Sequence, residues 1–294
     1  MIPARGCVLG IDVGWSECGK TTGMAVLWWD EAEVRWTCTT VSSREEDRTA
    51  VLDAITPEGY DDVLAVGVDG PLLPGLVERP TYRCAEMLLT WGAFGKRGKP
   101  GAGNAGNGPR LHQEATTLAS LALRRGNVAP ARHAANIHER AVVEAFPNLF
   151  LGVLCSTAQY PLRPRGRRWT DALFPLVLSC LDGMLTSFLP GRRFPVMRAV
   201  SGHDVIAGFV CALTALCIVA GRYVAVGAHA DGFIVLPPHD VWGSSSWAER
   251  ALRANVTRHG GGVVYRDDIV WMDGGSERTM AGGHGGAVQP LHAS

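Results

Sequence analysis

The arrangement that most limits how this chain can fold is a set of apolar runs that each stop on a carboxylate. They are Val8-Leu9-Gly10-Ile11-Asp12, Leu64-Ala65-Val66-Gly67-Val68-Asp69 and Ala141-Val142-Val143-Glu144. Short runs of Val, Leu and Ile read as strands buried on both faces, which calls for a sheet covered by helices. An acid at the end of such a strand is held where a rigid sheet meets solvent. Several strands can then converge carboxylates on one divalent cation, since hard oxygen ligands suit Mg²⁺ or Mn²⁺.

Around these runs the pattern predicts an α/β layer fold. Residues 7–13, 24–29 and 34–41 read as three strands rich in Val, Trp and Thr, and their short links favour antiparallel pairing. Ser42 or Ser43 caps a predicted helix that carries Glu45, Glu46 and Leu52 to Ile55, and residues 62–69 return as a strand. A helix over 112–125, a strand over 140–146 and a helix opened by Pro147-Asn148 follow. Residues 173–188 form an apolar helical segment, and 232–236 a short strand ahead of Pro237-Pro238. A hairpin, then a helix, then a further strand implies a mixed sheet flanked by helices.

Composition sets the outer bounds. The chain has 294 residues, 47% of them hydrophobic, with 28 basic and 28 acidic side chains, so net charge argues neither for nor against a nucleic-acid partner. One domain over residues 1–272 is expected, with a basic Gly/Asn-rich loop inserted near 95–110 and a flexible Gly-rich tail over 273–294. The 8 cysteines show no CxxC pair and no signal peptide precedes them, which points to reduced thiols in a cytoplasmic protein. Residues 205–221 are apolar and uncharged, at the short limit for a membrane span, and read better as a buried helix.

Gly14-Trp15-Ser16-Glu17-Cys18-Gly19-Lys20-Thr21 satisfies the phosphate-loop pattern GxxxxGK[ST] directly after a strand. A nucleotide-hydrolysing enzyme is therefore one reading. It needs a helix beginning at Lys20-Thr21, whereas Met24 to Trp29 suits a strand. The competing reading is a polar hairpin turn. The strand-end acids also have competing readings: Asp204 follows Ser201-Gly202-His203 where it can cap the buried helix, and Glu144 can pair with an arginine.

Six ordered motifs carry a family resemblance. These are Gly10-Ile11-Asp12-Val13-Gly14-Trp15, Val68-Asp69-Gly70-Pro71-Leu72, Arg79-Pro80 with Cys84-Ala85-Glu86, Val143-Glu144 through Phe150, His203-Asp204 with Cys211-Ala212-Leu213-Thr214-Ala215, and Gly232 through Pro238. Together they resemble domain of unknown function 429, a family predicted to be ribonuclease H-like nucleases. The resemblance spans residues 7–243. It implies a ribonuclease H-like mixed central sheet, with Asp12 on the first strand, Asp69 on the fourth and Glu144 on the fifth. One departure stands out: an Asp-Ala pair usual in the last helix is Ala207-Gly208 here, and Asp204, one turn earlier, is the acid on that face.

The expected activity is divalent-metal-dependent hydrolysis of nucleic-acid phosphodiester bonds, with Asp12, Asp69, Glu144 and Asp204 as catalytic and metal-binding residues. Lys20, Lys96, Arg97 and Lys99, with Arg165, Arg167 and Arg168, are the candidate phosphate contacts. A degenerate ribonuclease H-like module that binds nucleic acid or protein without cleaving it is the non-enzymatic alternative.

Overall fold

The computed structural model describes residues 2–56, 62–72, 82–96, 100, 106–125, 129–130, 141–160, 169–228, 232–243, 247–260, 262–265, 270–273 and 276–279. The chain opens with three strands, β1 (Gly6–Asp12), β2 (Thr22–Trp29) and β3 (Val34–Val41), then α1 (Glu45–Ile55) and β4 (Val63–Asp69). Next come α2 (Cys84–Thr90), α3 (Gly108–Arg125), the two-residue β5 (Ala129–Pro130), β6 (Ala141–Ala145) and α4 (Pro147–Leu154). After them lie α5 (Trp169–Leu173), α6 (Leu178–Phe188), α7 (His203–Ala220), β7 (Val224–Ala228), β8 (Gly232–Leu236) and α8 (Trp247–His259). Three short strands close the described chain: β9 (Gly262–Tyr265), β10 (Val270–Asp273) and β11 (Ser276–Thr279).

Seven strands make the body of one mixed sheet in the order β7-β8-β6-β4-β1-β2-β3, and β9, β10 and β11 extend it beyond β7. β1 pairs antiparallel with β2 and β2 with β3, whereas β4 is parallel to β1, β6 to β4 and β8 to β6. The short links of the first three strands allow direct reversal, and the parallel neighbours need the helical crossovers that follow them. The sequence reading gives the mixed α/β sheet and six of its seven body strands; β7, and the extension β9, β10 and β11, are not expected from it.

The sheet is covered on both faces. One core packs Val8, Leu27, Val143 and Val235 against α4, α5, α6 and α7. On the other face Leu9, Val26 and Val66 meet Leu52 of α1 and Leu118 of α3, and Val226 and Ile234 meet α2 and α8. Alternate residues of each strand therefore serve opposite cores, which is why the strands read as continuous apolar runs.

The helix α7 fixes the site. It is apolar on every side and 78% buried, although long and apolar enough to cross a bilayer, so the reading as a core helix stands. It lies against β1, β2 and β4. The approach is close because β1 and β4 present glycines to it: a Cβ on Gly10 would come within 2.1 Å of the Gly208 carbonyl oxygen, and one on Gly67 within 2.2 Å of that of Cys211. Gly10 and Gly67 are register partners, so they form a flat seat two residues before Asp12 and Asp69.

Several expectations are refined. The helix expected from residue 112 begins four residues earlier, at Gly108, with Pro109 in its first turn, where a missing N–H costs nothing. The helical segment expected over 173–188 is broken into α5, a 3-10 turn over Phe174–Leu176 and α6, with a 67° bend. Pro175 lacks the N–H that a continuous helix requires there. Ser276–Thr279 pairs antiparallel with β10 inside the expected flexible tail, and residues 280–294 lie outside the described residues.

Candidate carboxylate site

Asp12 and Asp69 are the last residues of β1 and β4 and stand opposite each other in the parallel register. Two neighbouring strands therefore deliver both side chains to the same end and face of the sheet. Their carboxyl groups share a hydrogen bond, which requires a proton on one of them. Burial pushes the Asp69 carboxyl up to about 7, the Glu144 charge adds to that rise, and the hydrogen bond with Asp12 opposes it.

The floor beneath the pair comes from α7. The Cys211 thiol is raised well above its ordinary range, first by burial and then by the charges of Asp69 and Asp12. It is held protonated and serves as packing. Asp204 lies in the first turn of α7, half-buried. That turn rests on β2 beside Asp12, because Asp12's partner is Gly23 and a Cβ there would lie 1.8 Å from the Asp204 carbonyl oxygen. The N-terminus of an 18-residue helix thus sits next to the pair, where its dipole favours negative charge. His203 precedes Asp204 and pairs through Nδ1 with the hydroxyl of buried Thr170.

Glu144 is disposed differently. It pairs with Val68, and Ala145 pairs with Asp69, so the side-chain alternation sends Glu144 to the opposite face from Asp69. There Arg83 clasps it with both terminal nitrogens, Nη1 to Oε2 at 2.8 Å and Nη2 to Oε1 at 2.5 Å. Arg83 Nε also donates to Glu86 Oε1 at 2.8 Å, and its backbone N–H donates to Glu86 Oε2 at 3.0 Å. All three side chains are buried: Arg83 is 3% exposed, Glu86 2% and Glu144 4%. Burial works against the charged guanidinium, and the charges and hydrogen bonds of Glu144 and Glu86 more than offset it, so Arg83 holds its proton above the usual arginine range. Pairing with an arginine, one of the readings the sequence allows for Glu144, is the observed one.

Among the described residues, no three His, Cys, Asp or Glu side chains converge closely enough to hold a metal ion. The expected four-acid set is thus divided: Asp12 and Asp69 are joined, Asp204 lies on the adjoining helix turn, and Glu144 is engaged by Arg83. A cavity of about 240 Å³ is lined by Asp69, Arg83, Glu86 and Glu144 among others.

The Gly14–Thr21 loop leads into β2. No helix N-terminus follows Lys20-Thr21, so the amides that a phosphate cradle requires are not assembled there. Arg48 of α1 instead pins the loop, donating from Nη2 to the Gly14 carbonyl at 2.6 Å and to Thr22 Oγ1 at 3.2 Å, while Nη1 reaches Glu114 of α3 at 2.7 Å. Arg110 adds a contact to the Trp15 carbonyl at 2.7 Å. Lys20 is exposed on this loop. Lys96 ends a 3-10 turn, and Arg97, Lys99, Arg165, Arg167 and Arg168 lie outside the described residues.

Arg83 was not legible as a site residue. Its signal was the flanking position before Cys84-Ala85-Glu86: an arginine three residues ahead of a glutamate at a helix start can reach that glutamate and whatever strand the helix covers. In comparisons with known proteins, no family model, curated protein or solved structure matches the chain.

Proposed function

We propose that the chain has a ribonuclease H-like fold and hydrolyses phosphodiester bonds of nucleic acid with Mg²⁺ or Mn²⁺ at the Asp12–Asp69 pair. The fold reading is supported by three antiparallel strands followed by parallel β4 and β6, with the acids at their carboxyl ends, where open α/β sheets bind ligands. The resemblance expects Glu144 on a fifth strand, and the two-residue β5 makes it the sixth here.

The observation that carries the activity is the in-register carboxyl pair, whose members lie close enough to share a proton. Two hard oxygen donors that repel when both are ionised fit a divalent cation, which can replace that proton. A bound cation supplies Lewis acidity for activating water and for stabilising the leaving oxygen. Asp12 and Asp69 hold it, and Asp204, on the adjoining turn of α7, completes or orients the shell. Cys211 and the α7 seat exclude water from beneath. Arg83 clasps Glu144 and compensates its charge.

The test is cleavage of labelled DNA and RNA with Mg²⁺ or Mn²⁺ by wild type and by Asp12→Asn and Asp69→Asn variants. Cleavage by wild type that falls at least 100-fold in each variant is the expected result. Unchanged cleavage in the variants removes the pair from the chemistry. The engagement of Glu144 by Arg83, with buried Ala207 where an acid is usual, favours one second reading, a module that retains metal and nucleic acid without hydrolysis. Metal-dependent oligonucleotide binding with no cleavage is its signature.

A further inference from the structure

β3 closes one end of the sheet, and it is the kind of edge that proteins ordinarily disguise. Its 8 residues run in unbroken register against β2, so no bulge bends it away. From Trp36 to Val41 it reads Trp-Thr-Cys-Thr-Thr-Val, without charge or proline, and these residue types favour a strand. α7 lies on one face, where the Trp36 ring meets that of Phe209, and α1 lies on the other. The far end of the sheet is finished differently, in strands of 4 residues. Backbone alternation shows which groups of β3 are open. The Val34 N–H donates outward to the Arg193 carbonyl at 2.7 Å, so Trp36, Cys38 and Thr40, on the same alternation, also turn N–H and C=O away from β2. Among the described residues none of these groups has a hydrogen-bond partner. Arg193 covers the start of the strand, and at its end the chain leaves the sheet, with the Ser43 N–H donating to the Ser16 carbonyl at 3.3 Å. The open span therefore runs from Trp36 to Thr40 and is symmetric about Cys38.

We propose that this span is the contact between two copies of the chain, whose β3 strands pair antiparallel about a twofold axis at Cys38 and continue one sheet through both molecules. A twofold interface uses the same patch on each copy, and the symmetry of the open span meets that requirement. Cys38 pairs with its own counterpart and Trp36 with Thr40 of the second copy, each pair exchanging both hydrogen bonds. Between them Thr37 stands opposite Thr39. Threonine pairs, and an aromatic ring beside a β-branched side chain, both stabilise neighbouring strands. Arg35 falls opposite Val41, so this direction sets no like charges against each other.

The test is sedimentation velocity on the full chain with reductant, joined to disulfide trapping with diamide in a Cys18→Ser background that removes an exposed thiol. Wild type is expected to be mostly dimer at about 100 µM. Thr40→Pro removes an outward N–H and leaves the β2 pairing intact; it is expected to weaken the dimer about 30-fold through one lost hydrogen bond in each copy. Thr37→Lys combined with Thr39→Lys sets lysine opposite lysine across the axis and is expected to give monomer. Circular dichroism reports that the variants fold. Thr37→Cys mixed with Thr39→Cys is expected to form an intermolecular 37–39 disulfide that neither variant forms alone, at the ~4.5 Å Cα spacing of a pair without mutual hydrogen bonds. Cys38 does not compete, since burial pushes its thiol up to about 12. Wild type that stays monomeric at that concentration overturns the inference and leaves the edge to a strand of another protein. A dimer undiminished in either folded variant, or one that gives no 37–39 disulfide, places the contact elsewhere and overturns it as well.

Discussion

Asp12 and Asp69 end neighbouring parallel strands in the same register and are hydrogen-bonded through their carboxyl groups, with one proton between two acids. The proton has a thermodynamic consequence. Burial pushes the Asp69 carboxyl up to about 7 in the folded protein from 3.8 when unfolded, so the folded state holds an extra proton between those values. Stability falls as pH rises through that window and stays reduced above it. In the presence of a chelator, Asp69→Asn, which removes the buried charge, is expected to raise Tm at pH 8 by about 5 °C. The gap narrows as pH falls and closes near pH 4. A Tm difference of opposite sign, or one independent of pH, contradicts the shared proton.

A cation that replaces the proton reverses that penalty. Adding Mn²⁺ or Mg²⁺ at pH 8, in about 100-fold excess over its dissociation constant, is expected to raise the wild-type Tm by about 5 °C. Differential scanning calorimetry reads the shift. Asp12→Asn removes one of the two proposed ligands and is expected to abolish it. A rise of equal size in the variant places the metal elsewhere.

Arg83 engages both Glu86 and Glu144 in their buried setting. Arg83→Met leaves two carboxylates without their guanidinium partner and is expected to cost about 3–5 kcal/mol in urea unfolding. Adding Glu86→Gln and Glu144→Gln to that variant is expected to restore most of the loss, because the penalty comes from unpaired charge. If the triple variant is no more stable than Arg83→Met, lost packing explains the effect.

Gly10 marks where the sheet meets α7. Its Cβ would stand 2.1 Å from backbone atoms of Gly208 and Ala212, neither of which can swing away. Gly10→Ala is expected to destabilise the fold by about 3 kcal/mol, at the upper end of overpacking costs. Gly183→Ala on α6, where a new Cβ meets nothing within 4 Å, is the control and is expected to stabilise by about 0.5–1 kcal/mol. Equal effects in chemical denaturation show that α7 can shift off the sheet.

The residues that local patterning reveals are those whose roles depend on near neighbours in sequence. The runs ending at Asp12 and Asp69 announce two-sided burial, because each alternate residue serves a different core. The stretch from Val205 to Gly221 announces a core helix through its apolar character on every side. The sequence also carries the turn chemistry that reverses β1, β2 and β3, and with it the antiparallel half of the sheet.

What only the tertiary structure decides is how those elements meet. Whether three strand-end acids face one another depends on register, and a shift of one residue sends a side chain to the other face. Glu144 lies one step off the row of Asp69 and so meets Arg83, 61 residues away in sequence, rather than the carboxyl pair. The charge state of Asp69 follows from burial against α7 and from the proximity of Asp12, neither of which its own flanking residues encode. Sequence alone indicated six of the seven body strands and the acids at the ends of three of them; long-range packing chose which acids stand together and which is engaged by a distant arginine.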